Sequence, residues 1–193
     1  ARSLDERPTT GVRYLKQSEF LEDVYSFNDF SYQPSKPIEN YKDVTPNINK
    51  PYLITEHTGH MYPVKATDPE VHHLNQCIRH LDIIDAASLV DGISGVIGWV
   101  MFDYQTHLDF GAGDGICHHG VLDINRNFKH AGYVYASQQN HEPVLHIVNQ
   151  LQNGDYPGGV GDKVLILTNM DYIKIYRNED LIDVVYPQKG KYK

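Results

Sequence analysis

Lys50-Pro-Tyr-Leu-Ile-Thr-Glu-His-Thr-Gly-His-Met-Tyr62 is the stretch on which the reading of this 193-residue chain turns. Tyr52-Leu53-Ile54-Thr55 is a short apolar, β-branched run that starts after Pro51 and ends at Glu56; Gly59 and Pro63 break it beyond. A run of this kind between breakers predicts a buried strand that carries Glu56 at its C-terminal tip. A neutral turn residue is usual there. A carboxylate followed by His57 and His60 is what an α/β enzyme places where its chemistry occurs.

Working outward, residues 7–12 and 23–28 predict two earlier strands, the second ending in the polar pair Asn28-Asp29. Residues 31–49, with Pro34, Pro37 and Pro46, predict a loop holding one short helix within 38–44. Thr67-Asp68-Pro69-Glu70 is a helix start: Thr67 or Asp68 as cap, Pro69 in the first turn, Glu70 closing a capping box with Thr67. Val71, Leu74, Ile78, Leu81 and Ile84 recur at helical spacing and carry that helix to about Val90. Residues 95–102 form a continuous apolar run, expected as a fourth strand buried on both faces, with Asp103-Tyr104 at its tip. A last helix is expected over about 125–138. Strands alternating with helices predict a parallel sheet of βα units. Asn28, Glu56 and Asp103 gather at the strand tips, the edge where such sheets bind ligands. After Asn140 the pattern changes. Residues 163–168, 172–176 and 181–185 read as short antiparallel strands joined by hairpin-length loops, so a second, all-β domain is expected from residue 142.

Composition narrows the possible partners. Seventeen basic against 25 acidic side chains give a net charge of -8 with no Lys/Arg cluster, which argues against nucleic acid. No run approaches the length of a membrane span. Fourteen Tyr and 11 His are a composition common where sugars are bound. Cys77 and Cys117 lie in no metal or redox spacing, and Cys77 is expected as a small core residue on a helix face. The loop Gly111-Ala112-Gly113-Asp114-Gly115 lacks the Gly-Lys-Ser/Thr of a phosphate loop. His57, His60 and His119 are not at a recognised zinc spacing, so neither a metal nor a cofactor is expected. The start, Ala1-Arg-Ser-Leu-Asp-Glu-Arg-Pro8, reads as the end of a helix running into a loop, as if cut from a longer protein.

Three motifs, in order, resemble glycoside hydrolase family 2, nearest to its bacterial β-galactosidases with an appended immunoglobulin-like domain. They are Pro51-Tyr-Leu-Ile-Thr-Glu-His-Thr-Gly-His-Met-Tyr-Pro63, Gly98-Trp-Val-Met-Phe-Asp-Tyr104 and His119-Gly-Val-Leu-Asp123. The resemblance implies an α/β chain whose four strands are strands five to eight of a (β/α)8 TIM barrel. Residues 1–141 would be the C-terminal half of that barrel, since a whole one takes about 250 residues. Residues 142–193 would open the immunoglobulin-like domain.

The resemblance assigns roles. Glu56 matches the nucleophile of a retaining glycosidase, which works with a second carboxyl group roughly 5–5.5 Å away. That acid/base glutamate should lie in an Asn-Glu pair, which this chain lacks; Asp29 and Asp103 do not match it, so it is expected upstream of Ala1. The chain alone is therefore expected not to complete turnover. Asn28-Asp29-Phe30 matches a motif usually ending in a tyrosine that bonds the nucleophile; here the position is Phe30, with Tyr25 and Tyr32 nearby. Phe102 matches an aromatic platform for the sugar, with Asn28, Asp103 and Tyr104 as pocket residues. Trp99 is expected in the core. His57 and His60 are read as sugar-hydroxyl contacts or loop hydrogen bonds. Asp109 and Asp114 either contact the sugar or shape their turn, and Asp103 is read as pocket residue or structural hydrogen-bond acceptor. His72, His73 and His130 are expected on helix surfaces.

The expected substrate is a terminal β-galactoside. A β-glucuronide or β-mannoside is the alternative, disfavoured by the absence of an Asn-x-Lys clamp, and a non-catalytic carbohydrate-binding or scaffold fragment is the third reading. Half a barrel exposes two sheet edges, so the rest of the barrel or another copy of the chain is the expected protein partner.

Overall fold

The computed structural model describes residues 3–58, 62–108, 113–149, 151 and 163–187. Its centre is a four-stranded, wholly parallel sheet. The strands β1 (Thr10–Gly11), β2 (Val24–Asp29), β3 (Tyr52–His57) and β4 (Ile93–Val96) lie side by side in chain order. A short helix α1 (Tyr41–Val44), capped by the Asn40 side chain, bridges β2 and β3, and the long helix α2 (Glu70–Ser88) bridges β3 and β4.

Tyr25 and Phe27 of β2 pair with Tyr52 and Ile54 of β3, and with Val44 of α1 they form one buried cluster on the helix side of the sheet. A second cluster joins Cys77 and Leu81 of α2 to Val121, to Ala131 and Val134 of α3 (His130–Ala136), and to Val148 and Leu167. Leu167 belongs to β8 (Ile166–Thr168), which pairs antiparallel with β7 (Leu145–Ile147), and Val148 follows β7 and donates to Leu165 O. Two other antiparallel pairs complete the chain. They are β5 (Tyr104–Gln105) with β6 (Ile116–Cys117), and β9 (Ile173–Arg177) with β10 (Asp180–Val185).

Several expectations need correction. The strand expected over 7–12 shrinks to Thr10–Gly11, an edge strand whose ladder partner lies on one side only. The fourth strand is Ile93–Val96, not 95–102. The chain still follows β3 for a few residues, since Ile97 N–H donates to Ile54 O and Trp99 N–H to His57 O. It then leaves the sheet, and Val121 and Leu122 donate to Val100 and Met101 instead. Ile97 and Met101 are exposed rather than buried. They line an apolar groove of about 400 Å³ with Val96, Val100, Phe128 and Tyr135.

In α2 no capping box forms: Asp68 accepts from the Lys65 N–H, and the helix begins at Glu70. Its buried residues are Gln76, Cys77, His80, Leu81, Ile83 and Ala87, while Val71 is exposed. Two polar side chains enter this apolar face because each finds a partner: Gln76 donates to Gly120 O, and His80 meets Tyr135. The last helix is shorter than expected, His130–Ala136. His72, His73 and His130 are not surface residues but half-buried. His72 bonds Pro63 O and stacks on Tyr62, and His130 sits between His73 and His146. Among the described residues no helix is long and apolar enough to cross a membrane.

Candidate functional site

A β-bulge sets the direction of Glu56. Phe27 pairs with Ile54 and Asn28 with Glu56, so Thr55 is an extra residue in β3. Strict alternation from Tyr52 and Ile54 would turn Glu56 toward the helices. The inserted residue reverses the alternation. Glu56 therefore stands on the inner face beside Asn28, and His57 turns outward. Asn28 Nδ2 donates to Glu56 Oε2 at 3.0 Å, and Thr55 Oγ1 donates to Asn28 Oδ1 at 3.0 Å, which fixes the amide with its N–H₂ toward the carboxylate. Asn28 supplies the bond expected from a tyrosine. Phe30 is half-exposed, Tyr25 is buried on the helix side near Ser18, and Tyr32 donates to Asp82.

Tyr104 lies within electrostatic reach of Glu56. Burial, then a hydrogen bond with Cys117, pushes its phenol up to about 12, and the charge of Glu56 adds to the shift. Trp99, expected in the core, is half-buried with its ring edge-to-face to Tyr104 at 6.0 Å. Phe102 is half-buried and carries the Arg126 guanidinium over its ring at 3.4 Å, so one face of the expected platform is occupied by a cation.

Asp103 is buried and fully engaged in holding the loop together. Its Oδ1 accepts from Lys129 Nζ at 2.7 Å and from the Gly120 N–H at 2.8 Å, and His118 Nδ1 lies 3.4 Å from Oδ2. These bonds give Asp103 the structural hydrogen-bonding role that stood beside the pocket reading. Gly120 is required here, because a Cβ would stand 2.3 Å from Asp103 N and 2.4 Å from Phe102 C. Asp29 is likewise engaged, accepting from the Ser31 N–H, the Ser31 hydroxyl and the Glu39 N–H. Asp114 is tied to Lys65 Nζ at 2.7 Å and His118 Nε2 at 2.9 Å, contacts that hold its carboxyl well below the usual range. His60 and Asp109 lie outside the described residues.

His57, expected either to meet a sugar hydroxyl or to make a loop hydrogen bond, is fully buried on the opposite face from Glu56 and bonds Thr58. It belongs to a set of neutral polar groups that the sequence did not reveal: Thr58, His80 of α2 and Tyr135 of α3. His57 Nδ1 lies 2.8 Å from Thr58 Oγ1, and His80 Nδ1 lies 3.3 Å from the same atom and 2.9 Å from the Tyr135 hydroxyl. The detectable signal was a polar His80 on the face of α2 that carries Cys77 and Leu81. Among the described residues no three His, Cys, Asp or Glu side chains are arranged to hold a metal ion.

Burial lowers His57 from 6.5 to about 4 and His80 to about 3, the latter helped by its neighbours His57 and Arg79. Both folded values lie below the unfolded one. Between them the unfolded chain takes up protons that the folded one refuses, so stability is complete above pH 6.5 and falls as pH drops toward 4 and then 3. Thermal melts between pH 7 and 4 should therefore show a falling midpoint, and a double His57→Phe, His80→Leu variant should show a smaller fall over the same range. Equal slopes in the two proteins would exclude these histidines as the cause.

No protein-family model matches the chain. It is 48% identical over 192 residues to a β-galactosidase of Thermoanaerobacterium thermosulfurigenes, covering 97% of the chain and 27% of that protein. It is 39% identical over 197 residues to a β-galactosidase of Thermoanaerobacter pseudethanolicus, covering 98% of the chain and 25% of the relative. The chain thus spans about a quarter of the length of the curated relatives it matches. Among solved structures, a GH2 β-galacturonidase from Eisenbergiella tayi bound to galacturonate superposes with a TM-score of 0.55 at 22% identity, over 69% of this chain and 27% of that one. The parallel sheet, the three sequence motifs and the near-complete match to part of two β-galactosidases agree: this chain belongs to glycoside hydrolase family 2.

Proposed function

We propose that the chain carries the nucleophile side of a retaining β-galactosidase active site, with Glu56 as the nucleophile. The observation that carries this reading is the bulge-directed carboxylate at the tip of β3, held by the Asn28 amide. Ionised Glu56 attacks the anomeric carbon, and the bond to the leaving oxygen breaks as that oxygen takes a proton from an acid. The resulting glycosyl ester is then hydrolysed by water activated by the same acid's conjugate base. Asn28 keeps the carboxylate aimed through the first step.

The acid comes from outside this chain. Asp29 and Asp103, the other carboxylates at the strand tips, are both consumed by structural bonds. In this reading β1–β4 are strands five to eight of a (β/α)8 barrel, a placement supported by their consecutive, all-parallel order. Residues 1–141 then form its C-terminal half, and 142–193 begin an immunoglobulin-like domain. The remaining barrel strands, or a second copy of the chain, cover the open edges. The two β-galactosidase relatives favour a terminal β-galactoside as substrate.

A 2-fluoro-β-galactosyl inactivator applied to the full-length enzyme tests the reading. Peptide mass spectrometry should find the label on Glu56, and the isolated 193-residue chain should hydrolyse no aryl galactoside. A label on another residue, with Glu56→Gln fully active, overturns it.

A further inference from the structure

The residue after His57 has an unusual backbone. Thr58 lies at φ +54°, in the left-handed region that a β-branched residue enters only when its surroundings hold it there. Its surroundings hold it: the hydroxyl sits between the imidazoles of His57 and His80, and His80 in turn bonds the Tyr135 hydroxyl. His57 and His80 are buried, on β3 and α2, and Tyr135 reaches in from α3. The fit is close: a Cβ on Gly98 would stand 2.1 Å from the Tyr135 hydroxyl. The His57 carbonyl also receives Trp99 N–H, so the same point anchors the segment leading to Tyr104.

We infer that Thr58 is a positioning residue: clamped by His57 and His80, it fixes the backbone just past Glu56 and so sets the aim of the carboxylate. This rests on the nucleophile reading of Glu56. The bulge chooses the face on which the carboxylate lies, and the clamp fixes the chain beyond it. The knot is built of neutral groups, because burial keeps both imidazoles uncharged, and it therefore places Glu56 without setting a cation behind it. Asn28 remains the direct partner of the carboxylate.

The test uses the full-length enzyme and the 2-fluoro-galactosyl inactivator, measuring separately the binding constant and the first-order rate of labelling. Thr58→Val keeps the shape and removes the hydroxyl; its labelling rate should fall roughly 30-fold with binding changed less than about threefold, as a misaimed nucleophile requires. Thr58→Ser should restore the rate to within about threefold of the parent. Tyr135→Phe, which removes one hydroxyl and leaves no cavity, gives an independent arm and should slow labelling by about tenfold. All rates are taken well below each variant's melting temperature. Labelling of Glu56 at the parent rate in Thr58→Val, or in Tyr135→Phe should Thr58→Val not fold, overturns the positioning role and leaves the nucleophile standing. Equal slowing in Thr58→Ser also overturns it. Absence of label on Glu56 in the parent enzyme overturns the nucleophile reading instead.

Discussion

Glu56→Gln in the full-length enzyme should lower kcat for an aryl β-galactoside by roughly 10⁴-fold or more, with the fold intact. The amide keeps the shape and can still accept from Asn28 Nδ2, so binding and packing are preserved. What disappears is the ionised oxygen that forms the glycosyl ester, and no other carboxylate on this part of the sheet can substitute. Asp29 is held by Ser31 and Glu39, and Asp103 by Lys129 and Gly120. A smaller variant makes the assignment stereochemical. In Glu56→Gly the vacated space admits azide, which attacks from the side the carboxylate left, so turnover should revive and the product should be the α-galactosyl azide. Steady-state rates and the anomeric coupling constant of the product are the measurements. A β-galactosyl azide would assign Glu56 to proton transfer rather than nucleophilic attack.

Lys129→Met should be the most destabilising single change near the site. The ammonium is 8% exposed and donates to Asp103 Oδ1, to Val64 O at 2.7 Å and to His118 O at 3.1 Å. It ties together three separate loops ahead of α3. Burial pulls its pKa down, and Asp103 offsets that pull. Removing the cation leaves the Asp103 carboxylate 4% exposed with its charge uncompensated, a defect that costs about 3–5 kcal/mol. For a protein of this size the melting temperature should fall by roughly 6–20 °C. The double variant Lys129→Met, Asp103→Asn should recover part of the loss, because the neutral amide no longer needs a counter-charge and can still accept from the Gly120 N–H. Scanning calorimetry of the three proteins decides the matter. A loss below about 1 kcal/mol in the single variant would mean that the pair is solvated in a way its burial does not indicate.

Much of this architecture was legible because local patterns and tertiary contacts agree. The run Tyr52-Leu53-Ile54-Thr55 forms its strand, the proline-rich segment before it holds only α1, and the turn at Asn178-Glu179 joins β9 to β10. Glu56 could be singled out as a carboxylate at a strand end, and Asn28 as its neighbour on the adjacent tip. What sequence periodicity does not carry is a change of residue count within a ladder. The bulge at Thr55 decides which side Glu56 and His57 occupy, and nothing in the types of residues 52–57 announces it. Residues 97–102 look like a strand by hydropathy, yet only Ile97 and Trp99 still bond β3, while Val100 and Met101 accept from Val121 and Leu122, a pairing 21 positions away that no local signal encodes. Asp103 fits a pocket from its place in a motif; only the approach of Lys129 from the start of α3 makes it structural. His80 on the core face of α2 reads as an interruption of the apolar pattern until Tyr135 and Thr58 supply its partners.

The extra residue in β3 also constrains how this strand can evolve. Upstream of Thr55, side chains alternate in phase with Tyr52 and Ile54; downstream, the phase is inverted. No point substitution can move a carboxylate at position 56 from one face to the other, because the face is set by counting and not by chemistry. A single deletion within residues 53–55 would do it at once, bringing Glu56 against the helices and His57 to the open side. Lineages descended from this arrangement can vary the strand's apolar residues freely, but they must hold its length fixed to keep a carboxylate facing inward.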